Sequence, residues 1–316
     1  MALAAFLDPA GHPDALWATA AVTDYLTTNR SHQRPEVVTT HQADKAVRLL
    51  HRYGLLTHTR QDGARALRTQ ALTARAAREA RQTTLDPAAV ARTAADALLE
   101  IWPDVAHAAS SLTEALRSNT AVLTTHAGDT LWQPHLHHVL WKAGRSLYDA
   151  GLHNAGIAYW QHTADKAERI LGPHHPDTIT ARANLARTYR QAGRANDALN
   201  IDEQVLADRE RVLGPDHPDT LWSHRHLAGD YRGLGRYQQA LALDQQVLAD
   251  RERVLRADHL DTLWSRAAIA EDYRGLGRYE EALALEQQVL ADRERILGHR
   301  PTQHDQRYRF IAAVDE

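Results

Sequence analysis

The sequence predicts an all-α fold in which paired helices stack into an open α-solenoid, preceded by a small domain with one short β-hairpin. The first observation is an internal repeat: between Leu171 and Leu297 the chain presents nearly the same segment three times, at a period of 42 residues. The second is a glycine near the middle of each copy, where a helix can end. The third is that no strand-like alternation of polar and apolar residues competes within the copies. A fixed period in this range is typical of a supersecondary unit stacked on copies of itself.

Aligning the three copies shows which columns define the unit. A tyrosine, a glycine and an alanine recur in every copy, and apolar residues recur around them at helical spacings of three, four and seven. These columns are Tyr189, Tyr231 and Tyr273; Gly193, Gly235 and Gly277; and Ala198, Ala240 and Ala282. Each unit is therefore predicted to be two helices that meet at the glycine, with the small alanine allowing the second helix to lie close to the first.

The tyrosine, glycine and alanine spacing resembles the tetratricopeptide repeat, and the 42-residue period with LGPDHPDT linkers resembles its kinesin-light-chain type. The resemblance implies a right-handed superhelix that binds a protein or peptide in its concave groove. Four units would occupy residues 129–297, the first of them degenerate because Leu147 stands in the tyrosine column. Gly298–Glu316 is predicted to be an incomplete repeat that caps the stack.

One column departs from the pattern of this family. Where the second helix usually carries an aromatic residue, only the weak first unit has one, Trp160. The other units carry acids at this position, namely Asp202, Asp244 and Glu286.

Composition excludes several classes of protein. The formal net charge is −3, so no global field favours nucleic acid or a membrane surface. The absence of cysteine excludes disulfides, thiolate zinc sites and cysteine nucleophiles, and suits a reducing cytoplasm. No apolar run approaches the length of about 18 residues that a transmembrane helix needs, and no GxSxG motif or placed acid pair is present. We expect a soluble cytoplasmic protein that is not an enzyme and carries no cofactor.

Residues 1–81 are predicted to form a separate small domain. Apolar spacing predicts helices over Asp14–Leu26 and Thr40–Tyr53, and a hairpin follows with its turn at Asp62 and Gly63. A helix over Gln70–Arg81 closes the domain. The apolar residues of the helix predicted over Thr40–Tyr53 are Ala46, Val47, Leu49, Leu50 and Tyr53.

This order of elements resembles the winged-helix module that follows the nucleotide-binding NB-ARC domain in bacterial STAND signalling proteins. The matching stretches are LDPAGHPDALWATAAVTDYL and AVRLLHRYGLLTHT…ALRTQALTARAAREA. In such proteins a helical connector and tetratricopeptide repeats come next; here residues 82–128 are the predicted connector, with a helix that starts at Asp86 and Pro87 and runs to about Ile101. The phosphate-binding motif GxxxxGK[ST] does not occur, so the ATPase switch of a STAND relative would be encoded separately or this chain would be a fragment.

The concave face of the repeats is the predicted binding site. Stacking at the repeat period places Arg190, Arg232 and Arg274 in one row, and Trp222 and Trp264 in another. Arginine binds carboxylates in a bidentate manner and tryptophan supplies a large anchor, so an acidic or carboxylate-terminated peptide is the predicted ligand. The predicted groove residues are Trp141, Arg145, Arg187, Arg190, Trp222, Arg225, Arg232, Trp264 and Arg274. In the alternative interpretation these arginines pair with Asp230, Asp272 and Glu271, and the tryptophans pack between repeats.

Two other groups of polar residues are predicted to be structural. The DRER segments, Asp208–Arg211, Asp250–Arg253 and Asp292–Arg295, have the spacing of a solvated helix face. The densest histidine cluster is His135, His137 and His138, with His153 and His162 on the next helix, whereas His175, His217 and His259 recur with the inter-repeat turn. We expect no metal site, because two close histidines without a third placed ligand bind weakly.

A DNA-binding regulator is the alternative function. Basic residues of the winged-helix-like domain could contact DNA, namely Lys45, Arg48 and Arg52 on the helix predicted over Thr40–Tyr53 and Arg60 and Arg65 on the wing. Gln42 and Asp44 make the charge of that helix mixed, which favours a module that packs within the protein.

Overall fold

A computed structural model of the protein describes residues 1–29, 37–80, 85–103 and 110–297. The described part of the chain is mostly helical, with a single two-stranded sheet. The chain divides into two compact units, residues 1–178 and 179–316. The predicted capping segment Gly298–Glu316 lies outside the described residues.

The helices and strands have the following bounds. In the first unit they are α1 Ala2–Ala5, α2 Ala20–Thr28, α3 Thr40–Arg52, β1 Thr57–His58, β2 Leu67–Arg68, α4 Ala71–Glu79, α5 Pro87–Glu100, α6 Ser111–His126, α7 His138–Asp149 and α8 His153–Leu171. The helix α9, Pro176–Gln191, crosses the division between the units. The second unit continues with α10 Ala195–Leu213, α11 Pro218–Gly233, α12 Tyr237–Leu255, α13 Leu260–Gly275 and α14 Tyr279–Leu297. Short 3-10 helices cover Asp14–Ala18 and Arg60–Arg65.

The helix predicted over residues 14–26 is split at Thr19. The hydroxyl of Thr19 donates to the Leu16 carbonyl at 2.7 Å and accepts from the Val22 amide at 3.4 Å. It therefore closes the 3-10 helix and caps α2. The predicted hairpin is present, with Thr57 paired to Arg68 and antiparallel strands.

The helix α3 forms as predicted, but its apolar face was predicted too broadly. It begins with a capping box between Thr39 and Gln42. Val47 is buried and Leu50 packs against the core, whereas Ala46, Leu49 and Tyr53 are exposed. The exposed residues lie on an adjacent stripe of the helix, turned roughly 100° around its axis, which the core does not cover.

One hydrophobic core joins the N-terminal elements to α5, α6 and α7. It contains Leu7 and Leu16 together with Leu98 and Leu116. The helix α5 starts at the predicted cap, where the Asp86 side chain accepts from the Ala88 amide at 2.9 Å. The buried alanines of α5 allow its neighbours a close approach.

In the second compact unit, each helix packs against the next one along the chain: α10 with α11, α11 with α12, α12 with α13 and α13 with α14. Within each two-helix repeat, the break between the helices falls at the predicted glycine. These glycines are Gly193, Gly235 and Gly277, and they adopt φ values of 73°, 70° and 75°. This left-handed conformation is the reason that the column holds glycine. The predicted alanines Ala198, Ala240 and Ala282 are buried.

Histidine begins the first helix of each unit. The Nδ1 atoms of His175, His217 and His259 each accept the backbone amide two residues later at 3.1 Å, and His137 does the same at 3.2 Å. An N-cap side chain that accepts a backbone amide satisfies one of the unpaired donors of the first turn. The recurrence of histidine in the inter-repeat turn is therefore explained by helix capping.

Candidate functional site

The predicted groove residues lie on the first helix of each pair. Arg187 and Arg190 are on α9, Trp222, Arg225 and Arg232 are on α11, and Trp264 and Arg274 are on α13. The other two, Trp141 and Arg145, are on α7 in the first unit. Trp141 stacks on Trp160 with ring centroids 5.6 Å apart, and Arg145 lies 3.7 Å from Asp149. On the same helix faces, Ala183 of α9 and Ala267 of α13 are buried, so part of this surface takes part in packing.

Arg190 links its own helix pair, α9 and α10, to the next one. Its guanidinium donates to Asp202 on α10 and, through Nε at 2.5 Å, to Asp230 on α11. Both carboxylates are buried, with exposed fractions of 1% and 0%. The acid in the family's aromatic column is therefore part of a buried cluster of one arginine and two aspartates.

Arg232 repeats this arrangement one unit later. It donates to Asp244 on α12 at 2.5 Å and to Asp272 on α13 at 3.0 Å, and Glu271 lies 3.8 Å away. In the last described unit Arg274 pairs with Glu286 at 2.7 Å. The ion pairs named by the alternative interpretation are thus present for Arg190 and Arg232. These arginines hold carboxylates of the protein itself.

Burial controls the charge of these aspartates. Burial raises the pKa of Asp202 to about 8, although Arg190 opposes the shift, and the nearby Asp230 raises the pKa further. Burial likewise raises the pKa of Asp272 to about 7 against the effect of Arg232. A single guanidinium cannot balance two buried carboxylates, so one of each pair favours the protonated form.

A second row of contacts alternates tryptophan with arginine. The guanidinium of Arg225 lies 5.1 Å from the Trp222 ring centroid and 5.3 Å from that of Trp264. Arg251 lies 5.7 Å from Trp222, and Arg293 lies 4.7 Å from Trp264. We call Trp222, Arg225 and Trp264 the tryptophan–arginine surface. Trp222 is 37% exposed, so this surface is open to a ligand.

Arg225 differs from the other arginines of this face. Among the residues that the structure describes, it makes no hydrogen bond and no ion pair, and its contacts are the two indole faces. Burial lowers the pKa of its guanidinium and the charge of Arg232 lowers it further, whereas the more distant carboxylates of Asp244, Asp261 and Glu271 oppose the shift. A half-buried cation without a bonded anion is an unusual feature in a folded protein.

The surroundings of His226 show the sign of the local field. Burial lowers the pKa of His226 to about 3, and the positive charges of Arg190, Arg209, Arg225 and Arg187 lower it further. The imidazole lies beside Trp222, with ring centroids 6.3 Å apart. The position of His226 therefore disfavours an additional positive charge.

Sequence reasoning missed the arginine in the second position of each DRER segment. The predicted solvated face is wrong for Arg209, Arg251 and Arg293, which are 7%, 2% and 7% exposed. Arg209 donates to the Asp219 carbonyl at 3.0 Å and to the Ser223 hydroxyl at 2.8 Å, and Arg251 makes the equivalent bonds to Asp261 and Ser265. The serine accompanies the arginine in these columns, whereas one period earlier both columns hold alanine, at Ala167 and Ala181. The joint replacement of two alanines by an arginine and a serine is the sequence signal that could have predicted this buried contact.

One group of side chains could hold a metal ion. His135, His175 and Asp177 of the first unit each offer a ligand atom, and these atoms lie within 4.8 Å of one another. The histidine cluster of residues 135–138 was predicted to lack a third ligand. Of that cluster the group includes His135, and its other two members, His175 and Asp177, come from the later inter-repeat turn.

Comparison with known proteins identifies the repeats. A tetratricopeptide repeat family model matches residues 143–177 and 178–219, and a second one matches residues 224–295. The chain therefore contains tetratricopeptide repeats, which generally mediate protein–protein interaction and form non-catalytic scaffolds. No curated protein matches the chain.

Solved structures show the same fold. A Podosopora anserina protein with nearly identical TPR-like repeats of the kinesin-light-chain kind is 23% identical, with a TM-score of 0.54, over 65% of this chain and 95% of that one. A point variant of that protein is 22% identical, with a TM-score of 0.56, over 67% and 99%. BtubC (BKLC) from P. vanneervenii is 15% identical, with a TM-score of 0.51, over 67% and 82%. The repeats are thus similar in fold to kinesin-light-chain-like tetratricopeptide proteins. No helix in the described ranges has the length and apolar character that a bilayer crossing requires.

Proposed function

We propose that this chain is a non-catalytic interaction scaffold that binds a protein or peptide partner on the tryptophan–arginine surface. In this proposal the partner presents a carboxylate to Arg225. The observation that carries the proposal is the position of the Arg225 guanidinium between the indoles of Trp222 and Trp264, without a bonded anion among the described residues.

The geometry of guanidinium explains why this position suits a carboxylate. The indoles lie 5.1 Å and 5.3 Å from the guanidinium carbon and contact the cation in cation–π fashion. Its five N–H donors point outwards in the plane of the group, where a carboxylate accepts two of them at once. Because the two rings restrain the side chain, less conformational entropy is lost when a ligand binds.

Three other arginines of the predicted groove have a different role in this proposal. Arg190 and Arg232 already hold two buried carboxylates each, and Arg274 holds Glu286. A ligand carboxylate would have to displace these partners and leave them buried without a counter-ion, which is costly. Ligand recognition is therefore assigned to Arg225 with its two tryptophans, and the paired arginines stabilise the units that present them.

The test uses short acidic peptides on an array, each made with a free C-terminal carboxylate and again as the amide. Binding of the full chain is then followed by tryptophan fluorescence, because Trp222 and Trp264 are part of the surface. We expect Arg225→Gln to abolish binding of the peptides that the wild type selects. Arg253→Gln is the matched control, because it removes an arginine whose partners, Asp216 and Asp250, lie on an exposed face. Undiminished binding by Arg225→Gln would contradict the proposal.

We further infer that residues 1–81 are a winged-helix-like module that packs against other protein, as in the bacterial NB-ARC and STAND signalling proteins that they resemble. On this view residues 82–128 are the connector, residues 129–297 hold four units, and the chain is the sensing arm of a cytoplasmic switch. Two candidate DNA-contacting arginines support protein packing, since Arg48 pairs with Asp44 and Arg65 with Asp8. Leu49 and Tyr53, which are 43% and 74% exposed, offer apolar surface for an adjoining domain.

A gel-shift titration separates this inference from the DNA-binding alternative. We expect no salt-sensitive complex with random-sequence duplex DNA. A complex whose affinity falls with salt concentration as steeply as contacts to several phosphates require would support the DNA-binding regulator instead.

A further inference from the structure

The loop before α7 and the loop before α9 bring three metal-ligating side chains together. His135 comes from the first loop, and His175 and Asp177 come from the second loop and the first turn of α9. His135 Nδ1 lies 3.4 Å from Asp177 Oδ2, and His175 Nδ1 lies 3.9 Å from the same oxygen. The two imidazole rings have centroids 5.3 Å apart.

From this geometry we propose that His135, His175 and Asp177 form a binding site for a divalent transition-metal ion, with Zn²⁺ as the representative. Two ligand atoms that each lie about 2.1 Å from a tetrahedral zinc ion are separated by about 3.4 Å. The distance from His135 to Asp177 already has this value, and the distance from His175 to Asp177 needs to shorten by less than an ångström. All three ligand atoms lie within 4.8 Å of one another, so the two histidine nitrogens also have to approach to about 3.4 Å when the ion binds.

Asp177 is held in place before any ion binds. Its Oδ2 accepts the Leu136 amide at 2.8 Å, so the carboxylate is already tied to the loop that carries His135. A hydrogen bond from outside the ligand set orients a ligand and strengthens its binding. His135 is the adjustable member, because its side chain is 72% exposed whereas those of His175 and Asp177 are 20% and 21% exposed.

The other repeats provide an internal comparison. His217 with Asp219 and His259 with Asp261 form the same capped turn, with the same 3.1 Å bond from imidazole to amide. Within the described ranges, only the turn at His175 acquires a third ligand and forms a group of this kind. The site therefore depends on His135 and not on the repeated turn itself.

The donor set indicates which ions bind. Two imidazole nitrogens and one carboxylate oxygen suit Zn²⁺, Co²⁺, Ni²⁺ and Cu²⁺, whereas Mg²⁺ and Ca²⁺ prefer sets of oxygen ligands. Three protein ligands leave a coordination position for water or for a side chain of a partner. His175 has a single lone pair on Nδ1, which now accepts the Asp177 amide. Metal binding by this ring replaces that hydrogen bond, so the Asp177 amide senses the ion.

The test uses the full chain without an affinity tag. Zn²⁺ is titrated by calorimetry, Co²⁺ is titrated with detection of its visible absorption, and the amide of Asp177 is followed by NMR. The wild type is expected to bind one equivalent with a shift of the Asp177 amide and no shift of the Asp219 or Asp261 amides. Replacement of a zinc ligand is expected to weaken binding about tenfold or more.

His135→Gln is the diagnostic variant, because the exposed side chain can change without loss of folding. His138→Gln is its matched control: this neighbouring histidine is also exposed and lies outside the three-ligand group. The proposal predicts that His135→Gln loses both the tight binding of one equivalent of metal ion and the shift of the Asp177 amide, whereas His138→Gln retains both. Equal binding by the wild type and His135→Gln would overturn it, as would a Co²⁺ spectrum that both variants change alike.

Discussion

Gly144 of α7 lies directly against the indole of Trp160 on α8: a Cβ atom placed on Gly144 would come within 2.2 Å of Trp160 Cζ2. The corresponding columns of the later units pair alanine with an acid, as Ala186 with Asp202, Ala228 with Asp244 and Ala270 with Glu286. An indole in this column requires glycine opposite, because a packed interior leaves no room for a further methyl group. The helix pair α7–α8 thus retains an aromatic contact in this column, and the later helix pairs replace it with ion pairs.

Substitution of Gly144 by alanine tests this contact. In a helix interior the change from glycine to alanine usually stabilises by about 0.5–1 kcal/mol. Here the overlap with Trp160 should outweigh that gain and lower the free energy of unfolding by about 1–3 kcal/mol. Gly229→Ala in α11 is the matched control, because the nearest atom to its Cβ would be Arg190 Nε at 3.9 Å. Urea denaturation measures both variants, and equal stabilisation of the two would contradict the packing argument.

Removal of Arg232 tests the buried ion cluster. Arg232→Gln leaves Asp244 and Asp272 buried with a neutral neighbour, and their exposed fractions are 1% and 0%. Loss of one member of a buried ion pair costs about 3–5 kcal/mol, because a charge remains without compensation. Urea denaturation should show this loss, whereas Arg253→Gln on the exposed face should behave nearly as the wild type. An Arg232→Gln variant as stable as the wild type would show that the cluster is not a structural cross-link.

Much of the helical framework was predictable from the sequence. The break at Gly193 and the burial of Ala198 follow from columns that match in three copies, because backbone conformation and close packing restrict the residue type. The start of α5 at Asp86 follows from local capping chemistry in the same way. Such features depend on near neighbours, which the sequence displays directly.

The partners of the polar residues could not be predicted in this way. Column spacing places Arg190 and Arg225 on the first helices of their units, but it does not show that one meets two aspartates and the other two indoles. For each arginine one of the two partners belongs to the next helix pair, about one repeat period away in the sequence: Asp230 for Arg190 and Trp264 for Arg225. His135 and Asp177 are likewise brought together by the folding of a helix pair. No local motif marks their proximity.

The histidine caps give a separate prediction. In His217→Ala, α11 loses the acceptor for the Asp219 amide, and the free energy of unfolding should fall by about 0.5–2 kcal/mol. In His217→Asn the cap acceptor is restored by the amide oxygen, and most of the stability should return. Thermal or urea unfolding of the two variants distinguishes a capping role from simple loss of contact area. Equal destabilisation by alanine and asparagine would count against capping.

The raised pKa values of Asp202 and Asp272 predict a specific pH dependence of stability. In the folded protein their pKa values are about 8 and about 7, above the ordinary value of 3.8 that applies to the unfolded chain. Between these values the folded state binds more protons than the unfolded state, so stability decreases as pH rises. The contribution is fully present below the unfolded pKa and is lost as pH passes through about 7 to 8.

His226 acts in the opposite direction but over a different range. Its lowered folded pKa of about 3, against the ordinary 6.5, makes stability rise with pH between those two values. Measurements between about pH 6.5 and about pH 8.5 therefore isolate the effect of the aspartates from that of His226. Over this interval the wild type should lose stability towards high pH, and Asp202→Asn should show a shallower decline because its side chain does not ionise. Urea denaturation at the two ends gives the comparison, and a wild-type slope identical to that of Asp202→Asn would mean that Asp202 is ionised in the folded protein throughout.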